Sequence, residues 1–337
     1  MKLLDDTKNR IIAWDILRGI GILCVVLGHI TYNDNLDRCI NAFHMPLFFF
    51  ISGALNKNKD GIVKKQFKNL MFPYFVFAIL SFLYWYFIEL RFREKHIGSN
   101  AFDQLVNIVY PMNMEGSYEF NAVLWFLPCL FVTFLSYHIL HKLHIGITGD
   151  LIVLCISIVL ASLIKIKIPF FISEMFCSLP FYICGSLFTK YKKQLDILSS
   201  STNNNIAIGL FTIIIAFICV IIFNVIGNMK GNFYSHSYFV FFICALFIVF
   251  GLYLSVSGIK HQIVFQWLGM NSLCIMLIHE PIRRIITKCY SIFFSLNVDY
   301  VRKSTIHSIL LLLATILVVS LFTMLINKYA KILLGKF

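Results

Sequence analysis

Hydrophobic positions gather along this chain into blocks about the length of a membrane-spanning helix, which needs about 20 mainly apolar residues. By that length ten blocks qualify, at roughly 12–32, 40–55, 71–90, 122–141, 150–165, 169–188, 206–227, 236–256, 263–285 and 306–327. The second and fifth are short, and only "KIKIP" (165–169) parts the fifth from the sixth. Pro73, Pro128, Pro180 and Pro281 fall at or inside blocks. A helix bundle tolerates them when neighbours satisfy the carbonyls they free. The first block carries Asp and Arg and has no small-residue cleavage site after it, so it reads as a retained helix. The pattern predicts an all-α, polytopic membrane bundle of about ten transmembrane helices, a single integral-membrane domain over 1–337 without internal repeats.

Composition agrees. The chain is 59% hydrophobic, holds 35 Phe, and is only 13% charged, with a mean hydropathy of +0.82. Soluble domains are nearer about 45–50% apolar and about 25% charged. The formal net charge of +13 is then loop charge, a topology signal and an attraction to anionic membrane lipids, with no role for nucleic acid. Placing both termini in the cytoplasm puts "KNKDGIVKKQFK" (57–68), "KYKK" (190–193), Lys328, Lys331 and Lys336 inside. "RFREK" (91–95) and "RKS" (302–304) then fall outside, so the basic excess is modest. On that orientation Trp14 and Trp267 mark inner ends and Trp85 and Trp125 outer ones, as interfacial belts do. Of the ten cysteines, most lie inside apolar blocks and none forms C-x-x-C, which points to neither a disulfide framework nor a zinc ribbon.

Against this background "DILRGIGILCVVLGHI" (15–30) is unusual. His29 lies eleven positions after Arg18, so on a helix they share a face to within about 20° and lie roughly 16 Å apart along the axis. Asp15, three residues before Arg18, falls on the same stripe. Gly19, Gly21 and Gly28 permit close approach by other helices. An intramembrane Arg costs about 2.5–3.5 kcal/mol even on lenient scales, so such residues face partners or cavities. Asp15 and Arg18 either neutralise each other near the interface or serve a site; His29 is either an interhelix hydrogen-bonder or a reacting group. Rising about 28 Å beyond Arg10, His29 is predicted near the outer leaflet, with His279 at similar height.

"RIIAWDILRGIGILCVVLGH" (10–29) resembles the first helix of the acyltransferase-3 family of integral-membrane O-acyltransferases, whose Arg, ten residues, then His signature is matched by Arg18 and His29. "FHMPLFFFISG" (43–53), "LWFLPCLF" (124–131) and "WLGMNSLCIMLIHEPI" (267–282) extend the resemblance, with the fucose 4-O-acetylase-like branch nearest in flavour. The chain is too short to carry the extra soluble esterase-like domain of some members. The resemblance implies transfer of an acyl group, acetyl or succinyl with acetyl expected, from acyl-CoA to a sugar hydroxyl. The acceptor would be a cell-surface or lipid-linked glycan such as O-antigen, capsule or exopolysaccharide, and the location the bacterial cytoplasmic (inner) membrane. No cofactor is implied beyond acetyl-CoA as co-substrate, and no metal. The rival class is a transporter or flippase of lipid-linked sugars, which also lines a cavity with buried Arg and His but usually shows repeats.

On this resemblance His29, Arg18 and Asp15 form the catalytic set, His29 acting as general base or as acyl carrier. The family's R-x-x-R pair before the third helix aligns with Gln66 and Asn69, flanked by Lys65 and Lys68. Those lysines, with Ser52, are the candidate donor contacts, unless they serve only as a positive-inside anchor. His279, Glu280 and Arg283 in "LIHEPIRR" (277–284) are candidate acceptor contacts, although Glu280 has Arg283 and Arg284 at pairing distance on a helix. His44 joins them, as does Trp125, which is either a sugar platform or a belt residue. His138, His141 and His144 invite a metal but have no carboxylate at useful spacing. The oligomeric state is not legible.

Overall fold

A backbone in lipid must satisfy its own hydrogen bonds, and this chain does so almost wholly with helices. The computed structural model describes residues 2–57, 60–91, 100–112, 116–143, 146–196, 202–259 and 261–335. The first half holds α1 (Lys2–Ile30), α2 (Asp34–Asn41), α3 (His44–Ala54), α4 (Ile62–Gln66), α5 (Phe72–Phe87), α6 (Ala101–Val109) and α7 (Phe126–Lys142). A π-helical turn, Phe67–Met71, joins α4 to α5. The second half holds α8 (Gly146–Leu163), α9 (Ile172–Asp196), α10 (Thr202–Ile222) and α11 (Tyr238–Val256). Then come α12 (Ile263–Met270), α13 (Ser272–Phe293), α14 (Val298–Lys303) and α15 (Thr305–Tyr329). Between α10 and α11 a small antiparallel hairpin pairs β1 (Gly227–Asn228) with β2 (Phe233–Tyr234), Gly227 opposite Tyr234.

Helix occurs in all ten predicted blocks, but four differ from a simple span. Among the described residues seven helices are long and apolar enough to cross a membrane, or eight if α12 and α13 count as one. The block at 40–55 breaks at Ala42–Phe43, leaving α3 only 11 residues long. The block at 122–141 begins late, because residues 116–125 form turns before the 17-residue α7. The block at 263–285 bends by 82° between α12 and α13. Asn271 stabilises that bend: its amide donates to the Trp267 carbonyl (2.8 Å) and its own side-chain oxygen accepts from Asn327 of α15 (2.7 Å). The seventh block also ends early, at Ile222, because residues 223–237 turn into the hairpin region. "RFREK" beyond Arg91, Lys336 and His144 lie outside the described residues.

Two glycine seats bring backbones into contact around the centre. A Cβ on Gly19 would stand 2.1 Å from the Phe265 carbonyl oxygen, and one on Gly269 1.8 Å from that of Asp15, so α1 and α12 touch main chain to main chain. Gly53 and Gly185 do the same for α3 and α9: each Cβ would stand 1.9 Å from a carbonyl oxygen, of Tyr182 and Phe50 respectively. Small residues permit this approach, and dispersion rather than hydrophobicity then holds helices together in lipid. Around the seats Trp14 packs on Tyr253 (5.0 Å between ring centroids) and Phe188 (6.2 Å). In the α9 span 67% of residues are buried, against 17% in those of α8 and α10. So α9 is central, while α8 and α10 turn Ile152, Ile156, Phe211 and Ile218 outward to lipid.

The tryptophan belt does not materialise. Trp14, Trp85 and Trp125 are buried inside the protein, and only Trp267 is half-exposed. Large aromatic rings are drawn into interhelix packing here, which apolar blocks alone do not distinguish from interfacial placement. His138 stacks on Phe134 at 5.6 Å between ring centroids and is a packing residue of α7.

Gly53→Val forces a branched side chain into the Tyr182 carbonyl. We expect a loss of about 1–3 kcal/mol or more, read as a lowered melting temperature and an aggregated fraction in detergent gel filtration. An unchanged melting curve shows the seat to be dispensable.

Candidate active site

The last turn of α1 delivers His29 to a cavity of about 270 Å³, whose walls include Asn41, His44, Phe48, Trp125 and Lys230. What holds the histidine there begins with the end of the helix. The last carbonyls of an α-helix lack intrahelical partners. Here the Arg302 guanidinium supplies them, donating from Nη2 to the His29 carbonyl (2.7 Å) and from Nε to that of Ile30 (2.8 Å). Arg302 also lies 3.4 Å over the Tyr32 ring, donates to its hydroxyl, and accepts at its own carbonyl from the Tyr32 N–H (2.7 Å). The clamp fixes the backbone of His29 and leaves the imidazole to the cavity, where 34% of the side chain remains open.

Behind His29 stands α13. The rings of His29 and His279 are 5.5 Å apart, and His29 Nδ1 lies 3.9 Å from Glu280 Oε2. The Glu280 carboxylate, itself buried, accepts from Arg283 Nε (2.9 Å), Arg283 Nη2 (2.6 Å) and Arg284 Nε (2.9 Å). Arg284 continues through Nη1 to both oxygens of Glu89 (2.9 and 3.1 Å) and to the Glu119 carbonyl (2.9 Å). A buried carboxylate needs such company, because desolvating an unpaired charge costs several kcal/mol (about).

Pro281 explains why this helix lies where it does. Lacking an N–H, it leaves the Leu277 carbonyl unclaimed four residues back. Asn121, fully buried in the turn before α7, donates to that carbonyl (3.0 Å) and to Ser81 Oγ of α5 (3.1 Å). One amide therefore ties α13 to α5. The imidazoles of His279 and His44 are oriented by their own helices. Nδ1 of His279 meets the carbonyls of Ile275 (3.1 Å) and Met276 (2.9 Å), and Nδ1 of His44 meets that of Ile40 (2.7 Å). A carbonyl only accepts, so both rings carry their proton on Nδ1 and present Nε2 as a lone pair. In His279 that Nε2 is buried without a partner.

Of the candidates read from sequence, His29, His44 and Trp125 share the cavity wall. His279, Glu280 and Arg283 are gathered directly behind His29, with Glu280 and Arg283 engaged with each other. Asp15 and Arg18 pair at 3.4 Å, partly exposed, at the far end of the polar stripe beside the α12 seat. They do not line this cavity. The Ser52 hydroxyl donates to the Phe48 carbonyl of its own helix (2.7 Å), and Ser52 stays away from the wall. Lys65 and Lys68 are exposed on α4 and the π-helical turn. Sequence reading missed Arg302, Asn121, Glu89 and Lys230. Only Asn121 had a signal, since Pro281 demands a donor for the Leu277 carbonyl.

A family model described as an acyltransferase domain, that of the acyltransferase-3 family, matches residues 11–325. The chain therefore belongs to that family, and its long apolar helices make it a multi-pass membrane protein. It is similar to nodulation protein NolL of Mesorhizobium japonicum (strain LMG 29417 / CECT 9101 / MAFF 303099), 24% identical over 151 residues, which cover 40% of this chain and 37% of that relative. The matched segment thus spans little more than a third of that relative's length. No solved structure matches.

Glu280→Ala strands the Arg283 guanidinium in the bundle and leaves Arg284 with Glu89 as its carboxylate partner. We expect a destabilisation of about 3–5 kcal/mol, measured as a fall in thermal midpoint in detergent, whereas Glu280→Asp retains part of it. Equal midpoints for Glu280→Ala and the parent would mean that Arg283 finds another partner.

Proposed function

We propose that this chain transfers an acetyl group from acetyl-CoA to a sugar hydroxyl of a cell-surface or lipid-linked glycan, with His29 as the general base. The observation that carries the reading is the His29 ring on the cavity wall, its Nδ1 turned to the Glu280 carboxylate at 3.9 Å. A proton on Nδ1 facing that carboxylate leaves Nε2 basic. Nε2 takes the proton of the acceptor hydroxyl as its oxygen attacks the thioester carbonyl. The tetrahedral intermediate collapses, the C–S bond breaks, and the departing thiolate of CoA takes the proton back from the imidazolium. Glu280 stabilises the imidazolium in between and is held for that task by Arg283 and Arg284.

The polar stripe of α1 supports a two-ended approach. The donor comes from the Asp15–Arg18 end, which the basic-residue bias assigns to the cytoplasm, its phosphates meeting Lys65 and Lys68 as exposed point charges. The acceptor occupies the cavity beside His29, where Trp125 and Phe48 offer apolar faces to a sugar ring and His44 a lone pair to its hydroxyls. On this reading the protein works in a bacterial cytoplasmic membrane.

The test is glycan analysis by NMR and mass spectrometry in cells lacking the gene, complemented by the parent or by His29→Ala, beside transfer of radiolabelled acetyl-CoA by purified protein in proteoliposomes. Loss of the base should lower transfer by about 10²–10⁴-fold at normal membrane abundance. Acetylation that persists in the alanine variant removes His29 from the reaction.

A further inference from the structure

The hydrogen-bond network behind the cavity leaves one strong acceptor without a donor. His279 is fully buried in α13, and its Nε2 has no partner. Its Nδ1 is committed to the carbonyls of Ile275 (3.1 Å) and Met276 (2.9 Å), which fixes the proton there and leaves Nε2 a bare lone pair. An unpaired acceptor in a dry interior is costly and rare. His279 does not line the cavity, although Met276, nearly one turn earlier, does. A sugar in that cavity therefore meets His29 and His44, and His279 stands behind the wall.

Beside that lone pair lies the ring of His29, 5.5 Å away between centroids and inclined at 50°. A direct N–H···N bond between two imidazoles, about 2.9 Å long, puts their ring centres about 5.3 Å apart. The rings thus already stand at bonding separation, and a small rotation of His29 completes the bond. Glu280 does not satisfy His29 in the same way. Its Oε2 lies 3.9 Å from His29 Nδ1, beyond hydrogen-bond reach. The carboxylate also accepts three hydrogen bonds from Arg283 and Arg284 already. It therefore supplies charge near the base but no bond that orients it.

We propose that His279 is a positioning residue for the base: its Nε2 accepts the Nδ1–H of His29 and so keeps His29 Nε2 basic and turned to the acceptor hydroxyl. This rests on the acyl-transfer reading of the same cavity. The two imidazoles then act in series. His29 donates to His279, and His279 donates to carbonyls of its own helix, so that each bond polarises the next. No proton passes to His279; the bond holds the tautomer and the angle of the ring. When His29 takes the proton of the hydroxyl, its Nδ1–H becomes a charged donor and the bond to His279 strengthens. Glu280 offsets the charge meanwhile. The stabilisation is therefore larger in the transition state than in the ground state, which is where it accelerates transfer. The acceptor left unpaired at rest is the one the charged ring needs.

The experiment is transfer of radiolabelled acetyl-CoA by the full chain in proteoliposomes, with glycan extracted from cells lacking the gene as acceptor. His279→Phe keeps a ring and removes the acceptor atom. We expect its kcat to fall by about 10–100-fold, part of what a general base supplies, at unchanged KM for the glycan. A glutamine amide reaches the position of Nε2 and an asparagine amide does not. His279→Gln should therefore stay within about threefold of the parent, and His279→Asn should be as slow as His279→Phe. That pair decides the matter if His279→Phe fails to reach the membrane. In a His29→Ala background His279→Phe should cost nothing further, since it acts only through that ring. A parent-like kcat in His279→Phe or His279→Asn, a loss confined to KM, a glutamine variant as slow as the asparagine one, or a full further loss in the His29→Ala background overturns the proposal. With an active parent and a slow His29→Ala, those outcomes defeat this proposal alone. No transfer by the parent, or full transfer by His29→Ala, defeats the reading on which it rests.

Discussion

A carboxylate buried among helices must be neutralised where it stands, and Glu280 is neutralised by two arginines from its own helix. That constraint organises one whole end of the molecule. Arg284 does not stop at Glu280 but reaches Glu89 beyond α5 and the Glu119 carbonyl in the turn before α7. Through His29 the same carboxylate faces α1. Four separate stretches of chain thus converge on one negative charge, and the cavity is the space left between them. In a low-dielectric bundle such a network is expensive to break and correspondingly specific in geometry.

Much of this was legible beforehand because the signals were local. Blocks of about 20 apolar residues mark spans by length alone, and helix lies in all ten. The Asp15–Arg18 pair follows from a spacing of three, and Glu280 with Arg283 and Arg284 from spacings of three and four. The rest depends on contacts between residues far apart in sequence. Arg302 reads as one more loop charge, yet it closes the end of α1 some 270 positions earlier. Lys230 follows a stretch of high hydropathy and looks like the tail of a span, since two-residue strands leave almost no periodic trace. The tryptophans misled for a related reason: a residue at the end of an apolar block is equally suited to a lipid interface and to a helix interior, and here packing on neighbouring aromatics decides.

The bend between α12 and α13 reconciles two demands that a straight helix would not meet. Segment 263–270 lies along α1 main chain to main chain through Gly19 and Gly269. Segment 272–293 must then turn to carry Glu280 behind His29. Asn271 lets the chain do both by taking up the hydrogen-bonding groups that the turn releases. One predicted span therefore serves as support for the foot of α1 and as wall for its head.

The Arg302 clamp grips carbonyl oxygens and not the ring of His29. Its consequence is kinematic: the anchor removes freedom from the main chain and leaves the imidazole two torsions of its own. Such a ring is a gimbal on a fixed post, free to turn without displacing the helix that bears it.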